Sequence, residues 1–414
     1  MGTSGYAGAN HRSVKQGNRA VIFRAIHALG PIARIDLARR TGLNPGTVSN
    51  IVDELIESGL AHESGFQAST RAGRRAVDLE VVPSARYAIG LDIARNAVTG
   101  AVVDLSGQPL HQLSEPVPDP WEGEVSQSAA LRIAQRLVSE LPRDERDRVV
   151  GVGVGIVGPV DIRARRSLSP RSRDVWQDLD LVTELERQIG LPTHYDNNAN
   201  TGALAELWFG AGQGVDDFVL LTLGTGIGSG LVLGGDLHHG DHGLAGEVGH
   251  MSVRLDGPRC ACGNFGCLEV YAAVPRILDA VRSRLAATPS SVLHTETGLT
   301  IDAVIAALDA GDEVATAVFD DVARYLAAGI INIIYAVDPQ LILLGRELAR
   351  AGDALIDRVR AEVDRRVFPA VRDAVEIRSA AVRDAPVVGA ATLALREFFR
   401  APLDTPSAAS PAPI

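Results

Sequence analysis

Residues 246–270 read GEVGHMSVRLDGPRCACGNFGCLEV, and they hold all three cysteines of the 414-residue chain. Cys260, Cys262 and Cys267 are clustered and odd in number, which indicates metal ligands rather than disulfides. Together with His250 they make the Cys₃His donor set of a closed, structural zinc site. We therefore expect a bound Zn²⁺ on these four residues. The alternative is three buried free thiols and an unrelated histidine.

Two acidic residues flank this cluster. Glu247 precedes His250 by three residues, so the two share a face of a helix or turn, and Glu269 follows Cys267 by two. Carboxylates that a neighbouring metal holds in place suit a polyhydroxyl ligand, because each accepts two hydroxyl hydrogen bonds. The alternative for either residue alone is a solvated surface charge.

The chain around the cluster has the texture of an α/β fold. From Tyr87 onward, apolar runs that end in glycine, such as YAIGLDI, VVGVGVGIVG and PQLILLG, alternate with helical stretches. The run of apolar residues needed for a membrane span and a secretory signal are both missing from the sequence. We therefore expect a cytoplasmic protein with no membrane partner.

The N-terminal segment predicts a winged helix-turn-helix domain. Three helical patterns end at glycines, and Ala38, Gly42 and Val48 have the A-x3-G-x5-V spacing of two helices joined by a tight turn. Asn44 is a good N-cap for the third helix, with Pro45 in its first turn. The first helix is expected to bury Val21, Ile22, Ala25, Ile26 and Leu29, and the third Val48, Ile51, Val52, Leu55 and Ile56.

Duplex DNA is the expected partner of this domain. Short polar side chains on the third helix can reach base edges, and an arginine-rich loop between two strands suits a narrow minor groove. Residues 1–85 carry ten Lys and Arg against seven Asp and Glu, a net +3, in a chain of net charge −11. The alternative is a protein-docking domain with a solvated basic loop. The expected DNA contacts are Thr47, Ser49, Asn50, Arg71, Arg74 and Arg75.

With the GEVGH run and the C-x-C-G-x2-G-C-L-E motif, the chain resembles the ROK family (repressors, open reading frames and sugar kinases) over nearly its whole length. The helix-turn-helix resembles the regulator branch, because the kinases of the family lack it. The resemblance implies a two-lobed body related to actin and hexokinase, with a sugar between the lobes. The sugar-binding residues that it implies are Gly158, Asn197, Asn198, Glu247, His250 and Glu269.

The expected function is a sugar-responsive repressor, although the same domains also suit an activator. Two heads that meet two half-sites require a homodimer or a homotetramer. The expected domains are a flexible N-terminus (1–12), the winged helix-turn-helix (13–82), a sugar-binding body (87–400) and a disordered tail (401–414). In the body, the first lobe is expected over about 87–200 with a helix at 385–400, and the second over 201–384. The link between Pro83 and Tyr87 is the expected hinge.

Two departures from the kinases of the family predict that catalysis is lost. Where they have ENDAN, residues 196–200 read DNNAN, so that Asn198 replaces the aspartate that takes the hydroxyl proton. Loss of a general base typically lowers a rate by about 10²–10⁴-fold. Where they have D-x-G-G-T, residues 92–96 read DIARN, and side chains replace glycines that would wrap phosphates. We expect no catalytic residues.

Residues 223–230, LGTGIGSG, keep the shape of a second phosphate loop. The favoured alternative is a turn whose glycines supply positive φ angles. An active ATP-dependent sugar kinase with a regulatory head is therefore the main rival function. A sugar-binding protein whose head docks another protein is the second.

Overall fold

The computed structural model describes residues 11–66, 77–117, 123–162, 166–167, 181–295 and 298–401. They form two compact units. The first contains the described parts of Met1–Val157, Asp178–Thr201 and Pro386–Ile414, and the second those of Gly158–Gln177 and Gly202–Ala385. None of the helices in the described ranges has the length and apolar character that crossing a bilayer requires.

The N-terminal part of the first unit is a winged helix-turn-helix. Its elements are α1 (His11–Leu29), β1 (Ile32–Ala33), α2 (Arg34–Thr41), α3 (Pro45–Glu57), β2 (Ala61–Phe66) and β3 (Val77–Val81). Strand β3 pairs antiparallel with β1 on one side and β2 on the other. Helix α2 ends as predicted at Gly42, whose φ of 67° is the left-handed conformation that glycine adopts without strain.

The buried face of α1 differs from the predicted one at its C-terminal end. Ile22 and Ile26 are buried as expected, but Leu29 is 43% exposed and Phe23 is completely buried. Phe23 packs on Phe399, with ring centroids 4.2 Å apart. Helix α1 therefore buries two faces, one inside the head and one against the C-terminal helix, and the pattern of one amphipathic face predicts only the first.

The rest of the chain alternates strands and helices, which confirms the α/β class. In chain order these are β4 (Tyr87–Ile93), β5 (Ala97–Asp104), β6 (Pro109–Pro116), α4 (Gly123–Glu140), α5 (Arg143–Arg146), β7 (Val149–Ile156), β8 (Val160–Asp161), β9 (Arg166–Ser167), α6 (Leu181–Ile189), β10 (Thr193–Asn197), α7 (Asn198–Phe209), β11 (Phe218–Leu223), β12 (Ile227–Leu233), β13 (Asp236–Leu237), α8 (Glu269–Ala272), α9 (Val274–Leu285), α10 (Ile301–Asp309), α11 (Glu313–Val337), β14 (Leu341–Gly345), α12 (Asp353–Asp364), β15 (Glu376–Ser379) and α13 (Ala385–Arg400).

The sheet of the first unit has the order β10-β7-β4-β5-β6 among the described residues. Strands β4, β7 and β10 are parallel, so their carboxyl ends meet at one edge. Asp92 and Asp196 both pair in register with Gly155, on either side of it. Polar residues of two strands, on either side of a glycine, therefore lie near the edge where open α/β sheets bind ligands.

Helix α13 lies directly on this sheet because glycines leave room for it. A Cβ at Gly90 would collide with the carbonyl oxygen of Val387, and one at Gly153 with that of Ala390. Gly389, on the helix itself, lies against the carbonyl of Thr201 in the same way. A side chain at any of these glycines would separate backbone from backbone.

The second unit has a sheet of order β13-β12-β11-β14-β15 in the described part of the chain. Strand β11 pairs parallel with β14 and antiparallel with β12. Its apolar core includes buried residues of α11 and α12. Because β11 and β14 are parallel, the loop between β11 and β12 and the loop after β14 lie at the same edge of the sheet.

The packing of α13 predicts a large cost for Gly153→Ala. The added Cβ would collide with the helix backbone, and overpacking of this kind lowers the free energy of unfolding by about 1–3 kcal/mol. Because the contact is with backbone, we expect a value near the upper end of this range. Thermal unfolding of the full chain should show a lowered Tm. Gly17→Ala is the matched control, because nothing lies within 4 Å of its Cβ. An unchanged Tm for Gly153→Ala would contradict this packing.

Candidate functional site

The four predicted metal ligands lie together in the second unit. One potential ligand atom from each of His250, Cys260, Cys262 and Cys267 lies within 4.8 Å of all the others. Cys260 Sγ is 3.6 Å from His250 Nδ1, and Cys262 Sγ is 3.7 Å from Cys267 Sγ. Around a tetrahedral zinc ion, thiolate pairs lie about 3.8 Å apart and thiolate–imidazole pairs about 3.6 Å. The donor geometry therefore fits a metal ion of this type.

The backbone around the cluster is held tightly. Single bridges pair Ser252 with Cys267 and Arg259 with Phe265. Gly266 has a φ of 62°, and a Cβ there would collide with the carbonyl oxygen of Arg254. Two of the thiols are buried, whereas Cys262 is exposed. Burial is the main cause that raises the pKa of Cys267, to about 12, so without a metal this thiol stays protonated.

The two flanking carboxylates lie close to the cluster. Glu247 Oε2 is 3.9 Å from His250 Nε2, the ring nitrogen that faces away from the cysteines. Burial above all raises the pKa of Glu247; the neighbouring His250 lowers it and the charge of Glu269 raises it further. The structure thus brings Glu247, His250 and Glu269 together, as the sequence predicts, in one electrostatically coupled group.

The glycine-rich loop between β11 and β12 holds carboxylates on both sides. Glu269 Oε2 accepts the Ile227 N–H at 3.1 Å and lies 2.7 Å from where a Cβ of Gly226 would be. A Cβ at Gly224 would collide with Glu347 Oε2. Neither glycine has a positive φ, so the predicted reason for these glycines is wrong. Instead, two carboxylates occupy the space that side chains at these positions would take.

Glu347 is the residue here that sequence reasoning missed. It follows β14 and Arg346, which has the unusual φ of 72° for a residue other than glycine. Its Oε2 is buried and has no hydrogen-bond partner among the described residues. The signal in the sequence was the pair Arg346-Glu347 after LILLG, in a loop at the same sheet edge as Gly224.

The remaining predicted sugar residues lie at strand ends. Asn197 ends β10, and its Oδ1 accepts the Ala199 N–H at 2.7 Å, which caps α7. Asn198 begins α7 and is partly exposed. Asp196 is 1% exposed and accepts hydrogen bonds from the Asn197 N–H and the Asn200 amide. Gly158, with a φ of 89°, follows β7 and belongs to the second unit.

The predicted recognition helix has its expected start and faces. Asn44 Oδ1 accepts the Gly46 N–H at 2.8 Å, and Pro45 occupies the first turn. Val48 and Ile51 are buried, whereas Asn50 is exposed and Thr47 and Ser49 are partly exposed. Arg71, Arg74 and Arg75 lie outside the described residues.

A winged helix-turn-helix joined to an α/β body with a Cys₃His cluster defines a DNA-binding protein on a sugar-kinase-like scaffold. A sequence model described as "ROK family" matches residues 88–397, and one described as "Winged helix-turn-helix DNA-binding" matches residues 22–61. The chain belongs to the ROK family.

Similar proteins include both regulators and kinases. The chain is 28% identical to the xylose repressor of Bacillus spizizenii, over 94% of this chain and 98% of the repressor. A crystal structure of a ROK family transcriptional regulator, described as a homologue of the Escherichia coli MLC protein, has 29% identity and a TM-score of 0.75 over 94% of this chain and 98% of that one. A Streptomyces griseus ROK glucokinase in complex with glucose and AMPPNP has 30% identity and a TM-score of 0.66, over 75% of this chain and 99% of the kinase.

The cap of the recognition helix is directly testable. Asn44→Ala removes the acceptor for the Gly46 N–H and should destabilise α3 by about 1 kcal/mol. Amide hydrogen exchange within α3 measures this local loss. Glu57→Ala, at the exposed other end of the helix, should change exchange little. Equal effects of the two variants would show that the cap contributes nothing.

Proposed function

We propose that the chain is a sugar-responsive transcriptional repressor that releases its operator when a sugar binds. The observation that carries this proposal is the similarity to regulators over head and body together, at 94% coverage of this chain. The glucokinase match covers 75% of the chain. A kinase with a regulatory head remains the rival function.

The proposed DNA contacts are short polar groups on α3 and arginines beyond β2. Thr47, Ser49 and Asn50 are the residues of α3 that would reach base edges. Asp53 lies on the same helix and would repel phosphate, but Arg34 pairs with it at 2.5 Å. We assign Arg71, Arg74 and Arg75 to the wing. Paired half-sites would require a homodimer or homotetramer.

The proposed sugar contacts combine carboxylates, amides and an imidazole. Glu247, His250 and Glu269 are held by the Cys₃His segment, and Asn197, Asn198 and Gly158 lie at strand ends. Carboxylate oxygens accept hydroxyl hydrogens, while amides both donate and accept. This mixture suits a polyhydroxyl ligand better than an anionic one.

We propose that His250 Nδ1 and the thiolates of Cys260, Cys262 and Cys267 hold a structural Zn²⁺. With four protein ligands the ion would have no open position for water, so it would cross-link the segment rather than catalyse. Its role would be to hold Glu247 and Glu269 in place. His250 Nε2, near Glu247, would remain available to a sugar hydroxyl.

We propose that the chain is not an enzyme. Asn198 stands where the kinases of the family have the aspartate base, and an amide takes no proton at neutral pH. The buried Glu347 carboxylate beside Gly224 adds negative charge where a nucleotide phosphate would need positive partners. Both features oppose phosphoryl transfer while leaving hydroxyl recognition intact.

The function is tested by titrating the intergenic duplex upstream of the gene with the full chain at fixed salt. Asn50→Ala should weaken binding by about 1–3 kcal/mol if Asn50 reads a base, while Glu57→Gln should not. A thermal-shift screen of monosaccharides, disaccharides and their phosphates identifies the sugar, which should then release the duplex. No duplex binding at low salt would support a protein-docking head instead.

The metal is tested by elemental analysis of protein purified without chelator. We expect about one zinc per chain, lost in Cys262→Ser together with thermal stability, because metal binding contributes to folding. Arg259→Ala, an exposed neighbour in the same loop, is the control. A metal-free chain of unchanged stability would refute the site.

The rival function is tested by coupled ATP turnover with the same sugar panel. We expect no phosphoryl transfer above background from the wild-type chain, with an active ROK glucokinase as the positive control. Sustained turnover would make the chain a kinase with a DNA-binding head.

A further inference from the structure

Arg19 is a buried cation at the contact between the DNA-binding head and the C-terminal helix. It is 4% exposed, although a buried guanidinium is costly unless its donors are satisfied. Its Nη1 donates to the carbonyl oxygen of Ala401 at 2.6 Å and lies 3.4 Å from that of Phe399. Phe399 is in the last turn of α13 and Ala401 directly follows it, at the end where helices carry unsatisfied acceptors and partial negative charge.

The same guanidinium reaches the recognition helix. Arg19 Nη2 lies 3.6 Å from Glu54 Oε2, and Glu54 is on α3. Lys15, one turn earlier on α1, pairs with the other oxygen of Glu54. Arg19 therefore links α3 to α13, whereas the Lys15 ion pair links α3 to α1.

Helix α1 continues this contact along one stripe. Phe23, one turn after Arg19, packs against Phe399 with the two rings tilted, and Nε2 of His27, a further turn on, lies 3.3 Å from the carbonyl oxygen of Ser106. Residues spaced by four share a helix face. The link at Pro83–Ala85 is also packed, since the Leu105 N–H donates to the Pro83 carbonyl. The head is thus docked on its unit and not only tethered to it.

The other part of α13 reaches the candidate sugar residues. Gly389 lies against the Thr201 carbonyl, and Thr201 Oγ1 donates to the Asn198 carbonyl at 3.0 Å. One rigid helix therefore contacts α7 near Asn198 and the head near Glu54. Coupling between distant sites needs such an element, with both sites acting on its position.

We propose that Arg19 is a positioning residue that couples α13 to the recognition helix, so that DNA and sugar act on each other through this helix. The proposal rests on the proposed function. Removing one partner of a buried ion pair is destabilising, so Arg19 also contributes to stability, and the test must measure coupling rather than stability alone.

The test is amide hydrogen exchange of the full chain with and without the intergenic duplex. Coupling is reciprocal, so duplex bound at α3 should slow exchange in the last turn of α13, by roughly fivefold or more. We expect this remote protection in the wild type and in Lys15→Met. In Arg19→Met the duplex should still protect α3, but the protection at α13 should be lost. Arg19→Lys, which keeps the charge, should restore part of it.

The outcomes distinguish a failure of the coupling role of Arg19 from a failure of the proposed repressor function. Protection of α3 without α13 in the wild type, or equal protection of α13 in Arg19→Met, would overturn the role of Arg19 and leave the repressor intact. A wild type in which the duplex protects neither helix would overturn the proposed function, and with it this coupling. If the head of Arg19→Met exchanges its amide hydrogens like an unfolded chain in the absence of DNA, Arg19→Lys is used instead. In that variant, protection of α13 equal to that of the wild type, together with weakened DNA binding, would count against coupling.

Discussion

The backbone contact between α13 and the parallel strands of the first unit is the constraint on which the rest of that unit depends. Gly90 and Gly153 let the helix approach strands that adjoin the polar sheet edge, and Gly389 brings it against Thr201. With no side chains between them, helix and sheet have little freedom to slide. The C-terminal end of the same helix contacts Arg19 and Phe23 of α1, so the position of α13 on the sheet also affects where the head packs.

The second unit is stabilised differently, because its segment from Gly246 to Leu268 has little regular secondary structure. Its order comes from short turns, single bridges and the Cys₃His donor set. Glu247, near its start, and Glu269, directly after its end, lie close enough for their negative charges to repel each other. Two like charges held close together destabilise each other. The rigid backbone around them keeps them in place despite this cost, and hydrogen bonds from hydroxyl groups would reduce it.

Sequence reasoning succeeded where the signal was local. Gly42 and Asn44 mark the ends of α2 and α3 because turn and cap chemistry act within a few residues, and the cysteine spacing marks the cluster in the same way. It failed where the partner is distant. The burial of Phe23 and the contacts of Arg19 both involve α13, some 380 residues away. The glycines at 224 and 226 were misjudged for the same reason, since the carboxylates that occupy this space, Glu347 and Glu269, come from distant parts of the chain.

The first unit is assembled from three separate stretches of chain, and the last of them is α13. During synthesis at about 5–20 residues per second, β7 would wait on the order of 10–60 s before its covering helix leaves the ribosome. Through that interval the apolar face of the sheet is uncovered, and the head has neither Phe399 nor the helix-end carbonyls to rest on. A nascent chain thus carries its winged helix-turn-helix before α13, the helix against which α1 packs, has been synthesised, so the packing of the head is completed last.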